Sequence, residues 1–407
     1  MPYRALTRLT GAMLAALPVR RGSELAARLG HVPSGLPRDG IWLHGASVGE
    51  IASAAGLVAA LGGALPIVAT ANTRTGRAAA EAQGLAASLA PLDLPQALAR
   101  FLDALAPRIA VGIESELWPN RSAALAARGI PQVLVGARLS ARSAARWARR
   151  PGLIRPMLAR LAAVSAQDVD SEARLVALGL PEARLLGRVN LKLAAALARP
   201  VRPHPPTRPA TLLAASTHAG EEEAVLDAVA ALARGGTMPR LILAPRHPER
   251  FDEVFAMMAA RGLAPARRSA GAGAGAPVLL ADSMGEMDLW YAAAGICFTG
   301  GSLVPLGGHT PWEPAAQACA LLHGPHVANF AGDYADLQAA GAAQPVSAAE
   351  LAPAVAALLR EPGRQAAMGA AARRVLEAKA GDPGPLARTI LQIAEESALP
   401  GHTGGMI

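Results

Sequence analysis

One carboxylate stands where it could move a proton, and two more close a strand. Glu50 closes the stretch His44-Gly45-Ala46-Ser47-Val48-Gly49-Glu50, and Glu114 and Glu116 flank one serine in Glu114-Ser115-Glu116-Leu117-Trp118-Pro119-Asn120. Gly45 and Gly49 permit a tight turn after a short apolar run, Ser47 can cap the next helix, and Glu50 then falls in its first turn. Two readings follow. Ser47-x-x-Glu50 fits a capping box in which the carboxylate complements the helix dipole; alternatively, Glu50 is a general base at the edge of a cleft. Spacing alone favours the box. In an extended chain Glu114 and Glu116 would point the same way, and burying either is costly without a partner. Arg138 or Arg142 could supply a structural ion pair. Asp168-Val169-Asp170 has the form of a metal-binding DxD, but it opens a helix, where aspartates serve as caps.

The second half of the chain is rich in places for an anion. Ser216-Thr217-His218-Ala219-Gly220-Glu221 follows an apolar strand and opens a helix, a geometry suited to phosphate. Pro245-Arg246-His247-Pro248 delivers a fixed cation at the end of the next strand. Ser283-Met284-Gly285-Glu286 precedes another helix. The densest stretch runs from Phe298-Thr299-Gly300-Gly301-Ser302 to Thr310-Pro311-Trp312-Glu313-Pro314. Glycine pairs let a backbone approach a ligand, and Glu313 at a helix start could accept hydrogen bonds from ribose hydroxyls. One such loop is weak evidence, whereas four after four strands of one half are stronger. In the first half, Ala71-Asn72-Thr73-Arg74-Thr75-Gly76 could hold an anion or be a plain strand–helix turn.

These loops need a scaffold that brings strand ends together. Apolar runs such as IWLHG, PIVATA, RIAVGI and IPQVLVGA alternate with helical stretches, which predicts a parallel sheet covered on both faces. ARPVRPHPPTRPA, residues 198–210, can be neither helix nor central strand and reads as a semi-rigid connector. After it the alternation resumes with TLLAAST, RLILAPRH, PVLLADS and ICFTGGS. The fold class is therefore α/β, with two doubly wound, Rossmann-like halves and a ligand cleft expected between them. The expected boundaries are an N-terminal helix at 1–30, a first domain at 31–199, a linker at 200–209 and a second domain at 210–407.

Composition narrows the partners. The chain has 407 residues, 52% hydrophobic and 17% charged, which excludes a disordered chain. Two cysteines exclude a disulfide framework and a cysteine-rich metal site. The net charge is +8, and all but Lys192 and Lys379 of the 39 basic residues are arginine. Such a chain can meet nucleic acid, an anionic membrane surface or an anionic substrate. Aromatics are only 3%, too few for base-stacking platforms, and no nucleic-acid motif is visible. Leu6, Leu9, Met13, Leu14 and Leu17 fall near helical spacing between Arg4, Arg8, Arg20 and Arg21. That helix either lies in a membrane interface or packs on the domain; a signal peptide fits less well, because Thr10 and Gly11 interrupt the apolar stretch.

WLHGASVGE, ESELWPN, GARLSARS, APRH, DSMGE and GGSLVPLGGHTPWEPAA occur in one order over residues 40–330. Together they resemble the 3-deoxy-D-manno-octulosonic acid (Kdo) transferases of lipopolysaccharide assembly. The resemblance implies a GT-B glycosyltransferase whose two Rossmann-like domains face each other across a cleft, inverting and without metal or other cofactor. It implies CMP-Kdo as donor and a lipid A precursor as acceptor, with the protein peripheral or monotopic at the cytoplasmic face of an inner membrane. Glu50 matches the family's catalytic base, and Glu114 matches the first glutamate of its second acidic motif. The CMP site would take Pro245, Arg246, Met284, Gly285, Glu286 and the run Thr310, Pro311, Trp312, Glu313, with Ser216 and Thr217 of the phosphate-ready loop added to the donor side. The family more often has Asn at the position of Thr310 and Leu at that of Trp312. The alternative reading is a sugar-nucleotide epimerase of the same architecture, which would need no lipid acceptor. A third, a non-enzymatic two-lobed solute-binding protein, would require export.

Overall fold

The computed structural model describes residues 2–15, 19–20, 22–198 and 202–398. Leu17, Arg21 and Pro200, all used in the reading above, lie outside them. The chain divides into two compact units, Met1–Ala198 with Lys379–Ile407, and Arg199–Ala378.

The first unit is built on six parallel strands: β1 (Ile41–His44), β2 (Ile67–Ala71), β3 (Ala86–Leu89), β4 (Ile109–Ile113), β5 (Gln132–Ala137) and β6 (Leu161–Ala166), in the order β3-β2-β1-β4-β5-β6. This is the doubly wound order, and the direction of winding reverses between β1 and β4. Helices cover the sheet, so the central strands are apolar on both sides; every residue of β1, β4 and β5 is buried. On one face Ile41, Leu43, Val111, Val133 and Val135 pack with Leu57 and Leu61. On the other, Trp42 and Val68 meet Leu98, Phe101 and Leu102 of the helix Pro95–Leu105. The helix after β2 starts at Arg74, where the Thr73 side chain accepts from the Gly76 N–H.

The second unit has seven parallel strands: β7 (Thr211–Thr217), β8 (Arg240–Pro245), β9 (Ala266–Arg267), β10 (Val278–Leu280), β11 (Ile296–Thr299), β12 (Ala320–His323) and β13 (Ala343–Pro345). Their order is β13-β12-β11-β7-β8-β10-β9. Here the winding reverses between β7 and β11. Residues 269–277 form turns between β9 and β10.

The expectation of one continuous second domain over 210–407 needs correction. The helix Pro383–Ala398 buries Leu386, Ala387, Ile390 and Ala394 in the same core as Ile41, Val111 and Val133 of the first unit. Gly381 makes the return possible: its φ is +69°, and a Cβ there would overlap the Arg188 carbonyl.

The N-terminal helix, Pro2–Ala15, is docked through one side. Tyr3 Oη donates to Asp93 (2.8 Å), Asn120 Nδ2 donates to Thr7 (2.9 Å), and Gly11 is buried against Gln96. Leu6, Leu9 and Met13 point away and are 64%, 63% and 68% exposed. The helix thus packs on its domain through one side, and its outer face is apolar. No helix among the described residues is long and apolar enough to cross a membrane.

Candidate active site

In the first unit the acidic residues converge on the carboxyl ends of β1 and β4, where the winding reverses and a doubly wound sheet opens a crevice. β1 ends at His44, and the loop Gly45–Ser47 leads into the helix Val48–Ser53. Ser47 accepts from the Glu50 N–H at 3.3 Å. The Glu50 carboxylate turns back to accept from the Ala46 N–H (2.6 Å) and the Ser47 hydroxyl (3.3 Å). Ser47 is therefore the cap, but the reciprocal bond of a capping box is not made: the carboxylate reaches past Ser47 to the Ala46 N–H, so helix capping does not exhaust Glu50. Half-burial pushes the Glu50 pKa above its ordinary value; the Ala46 N–H opposes this, and the nearby charges of Glu114 and Glu116 reinforce it. A carboxylate fixed by its own helix, half-buried and with raised proton affinity has the properties of a general base.

Glu114 and Glu116 do not point the same way. Glu114 adopts a left-handed backbone, φ +58°, which turns the chain sharply at the end of β4. Its carboxylate pairs with Lys192 Nζ at 2.7 Å rather than with Arg138 or Arg142. Glu116 is 7% exposed and turns inward. It accepts from His44 Nε2 (2.6 Å) and Trp118 Nε1 (2.6 Å), and Arg121 lies 3.6 Å away. Burial would raise the Glu116 pKa, but the bonds from His44 and Trp118 and the charge of Arg121 outweigh it and bring it down to about 2. Burial, helped by the Arg121 charge, lowers His44 to about 4, so the ring is neutral at pH 7. Its Nε2–H donates to Glu116, and its Nδ1 lies 2.9 Å from the Thr70 hydroxyl, which in turn accepts from Trp42 Nε1 (2.8 Å). Arg121 lies over the rings of Trp42 and Trp118. Glu116 is thus a buried carboxylate, ionised at neutral pH, that anchors the acidic loop.

His44, Glu116, Arg121 and Lys192 were absent from the sequence-based site. His44 and Glu116 are 72 positions apart, and no spacing connects them. Lys192 carried a signal that was available: it is one of two lysines in a chain that otherwise uses arginine. Asp168 caps the helix Val169–Ala177 by accepting from the Ser171 N–H (2.6 Å), and Asp170 pairs with Arg174. This is the cap arrangement.

In the second unit the four expected loops follow β7, β8, β10 and β11, four adjacent strands, at one edge of the sheet. Ser216 is half-buried with φ +54°. Thr217 is 1% exposed, so its side chain faces the interior and not the loop surface. Pro245 is buried at the end of β8, and the exposed Arg246 follows it. Met284 and Gly285 are exposed at the tip of their turn, whereas Glu286 is held by Arg268 (2.9 and 2.7 Å) and by the Ser283 hydroxyl. The Arg268 guanidinium, with Ser283, brings the Glu286 carboxyl down to about 2. Thr310 and Glu313 are half-buried and Pro311 is buried. Trp312 is 5% exposed and turned inward, its Nε1 donating to Asp333 at 3.2 Å.

The Gly-Gly loop does not offer its amides to a ligand. Glu221, fully buried at the start of the helix Glu221–Arg234, accepts from the Gly301 (2.7 Å), Ser302 (2.9 Å), Leu303 (2.9 Å) and His218 (3.0 Å) N–H groups. Gly300 is required there because a Cβ would overlap the Ser216 carbonyl. The glycines therefore pack one loop against another, and the polar groups left at this sheet edge are side chains. His218 and His309 stack with Nε2 atoms 2.8 Å apart, so one ring donates and the other accepts. His247 lies edge-on to His218. Burial lowers the pKa of both His218 and His309, with Arg246 adding to it. Arg246 and these three rings form a donor-rich surface suited to a phosphate or carboxylate.

Residues 23–195 match the family model described as 3-deoxy-D-manno-octulosonic-acid transferase (kdotransferase). The chain is 41% identical to the 3-deoxy-D-manno-octulosonic acid transferase of Bordetella pertussis over 84% of each chain. It is 36% identical to that of Haemophilus influenzae over 72% of each. Among solved structures it is similar to a UDP-GlcNAc 2-epimerase from Neisseria meningitidis, with a TM-score of 0.54 and 12% identity, covering 88% of this chain and 99% of that one. At that identity the likeness concerns the fold alone.

Proposed function

The chain belongs to the 3-deoxy-D-manno-octulosonic acid transferase family, and on that premise we propose that it transfers Kdo from CMP-Kdo, with inversion, to a lipid A precursor of the lipid IVA type. The enzyme is a glycosyltransferase of the GT-B class, and its role is in lipopolysaccharide biosynthesis. The observation that carries the finer reading is Glu50, a carboxylate of raised proton affinity fixed at the reversal point of the first sheet.

Inverting transfer needs a base at the acceptor hydroxyl, on the side of the sugar opposite the leaving phosphate. Glu50 takes that role. Glu114, in its ion pair with Lys192, shapes the acidic loop on the acceptor side. Charge builds on the departing CMP phosphate as the anomeric carbon becomes oxocarbenium-like. Arg246, with the neighbouring histidines, meets that charge. Side chains perform this task and no metal is required, so transfer should survive chelation. The exposed apolar ridge Leu6, Leu9 and Met13 supports peripheral attachment to the cytoplasmic face of an inner membrane.

The test is incubation with CMP-Kdo and a lipid A precursor, read by mass spectrometry. A mass gain of one or more Kdo units on the lipid is expected. Consumption of donor to an isomer without acceptor, and no lipid product, would instead favour an epimerase.

A further inference from the structure

Between Glu116 and Asp168 the chain has no aspartate or glutamate, yet it has nine arginines. Five of them, Arg138, Arg142, Arg146, Arg149 and Arg150, lie on or beside the helix Ala141–Ala148, and all five are exposed. None of their side chains makes an ion pair or hydrogen bond among the described residues, although most arginines elsewhere in this unit are partnered. The helix buries no residue fully. It rests on its domain through Ala144 and Trp147, which pack against the cluster of Leu139, Ile154 and Leu158. At about 100° per residue, Arg142, Arg146 and Arg149 fall together on the opposite side. A depression of ≈ 280 Å³ opens between Arg146, Trp147 and Arg150.

The stripe is coupled to the acidic site. It follows β5, the neighbour of β4, so it starts from the same end of the sheet as Glu114. Ser115 Oγ donates to the Arg138 carbonyl, and Leu117 packs against the same buried cluster as Ala144 and Trp147. We propose that this arginine stripe is the recognition site for the phosphate groups of the acceptor headgroup. Arginine binds phosphate with two parallel hydrogen bonds and stays charged at any working pH. The stripe has no large exposed apolar residue, unlike the N-terminal helix with its Leu6, Leu9 and Met13. A surface that inserts into a bilayer needs such residues; one that reads a headgroup does not. This inference rests on the acceptor assignment above and names its determinant.

The experiment compares wild type with Arg142→Gln/Arg146→Gln in detergent micelles free of other anionic lipid. The acceptors are lipid IVA and the same lipid with its phosphates removed. For the double variant the KM for lipid IVA rises about tenfold or more, the KM for CMP-Kdo does not move, and Arg142→Lys/Arg146→Lys recovers part of the loss. With the dephosphorylated lipid, wild type and variant behave alike. Equal loss on both lipids, or no loss on either, overturns the proposal. So does a variant that transfers normally in micelles but no longer sediments with phosphatidylglycerol vesicles, since the stripe would then serve the bilayer. Direct binding of both lipids is measured in parallel. If wild type binds lipid IVA through these arginines but transfers nothing, the phosphate site stands and the transferase reading fails. If binding ignores the phosphates, the site itself fails.

Discussion

Glu50 reads as the partner of a capping box in the sequence; in the structure Ser47 caps the helix and the Glu50 carboxylate accepts from the Ala46 N–H instead, so its role must be argued from energetics. A capping carboxylate in water is held below its ordinary pKa by the hydrogen bonds it accepts, as Glu350 is by Ser347. Glu50 is raised by burial and by two acidic neighbours, one of which, Glu116, is locked in its charged form. The sign of the pH dependence follows. A base must be ionised, so kcat/KM falls as pH drops through the Glu50 pKa, which lies above the usual carboxylate value. Glu116→Gln removes one negative neighbour, lowers the Glu50 pKa and moves the acidic limb of the profile to lower pH. A pH profile of both enzymes checks this; an unmoved or raised limb contradicts it. The Ser47 cap was legible because it and the N–H it accepts from are three residues apart. The His44–Glu116 contact was not, because it depends on β1 lying beside β4, which the alternation of strands and helices does not specify.

At the scale of elements, the second unit depends on Glu221. The sequence shows only an acidic residue at a helix start, which is usually explained by the dipole. In the fold it accepts four amides and holds the loop after β11 to the loop after β7. Glu221→Ala leaves those buried N–H groups without partners, so we expect a loss of roughly 3–5 kcal/mol by urea unfolding. Faster amide exchange at Gly301–Leu303 should accompany it. Unchanged exchange at these amides would mean that the loop is held by something else. The glycines of this region were legible as a place of close backbone approach; what approaches them is the protein itself. The strand-ending loops were also legible, and all four fall on one sheet edge, because parallel strands put every carboxyl end on the same side.

At the scale of the molecule, the proline run marked where one unit gives way to the other, but nothing in the sequence announced that the last helix goes back. An amphipathic helix has the same periodicity whichever sheet it covers. Ile390 is fully buried in the core of the first unit. Ile390→Ala should cost about 2–5 kcal/mol, and the loss should appear as faster amide exchange in β1 and β4, with β7 and β11 unaffected. The reverse pattern would return this helix to the second unit. The account as a whole turns on the division of labour between a base on one unit and a donor site on the other. Its most direct test is Glu50→Gln, with CMP-Kdo binding by calorimetry and transfer to lipid IVA by mass spectrometry measured on the same preparation. The account predicts unchanged donor affinity with transfer slowed about 10²–10⁴-fold; transfer near the wild-type rate would contradict it.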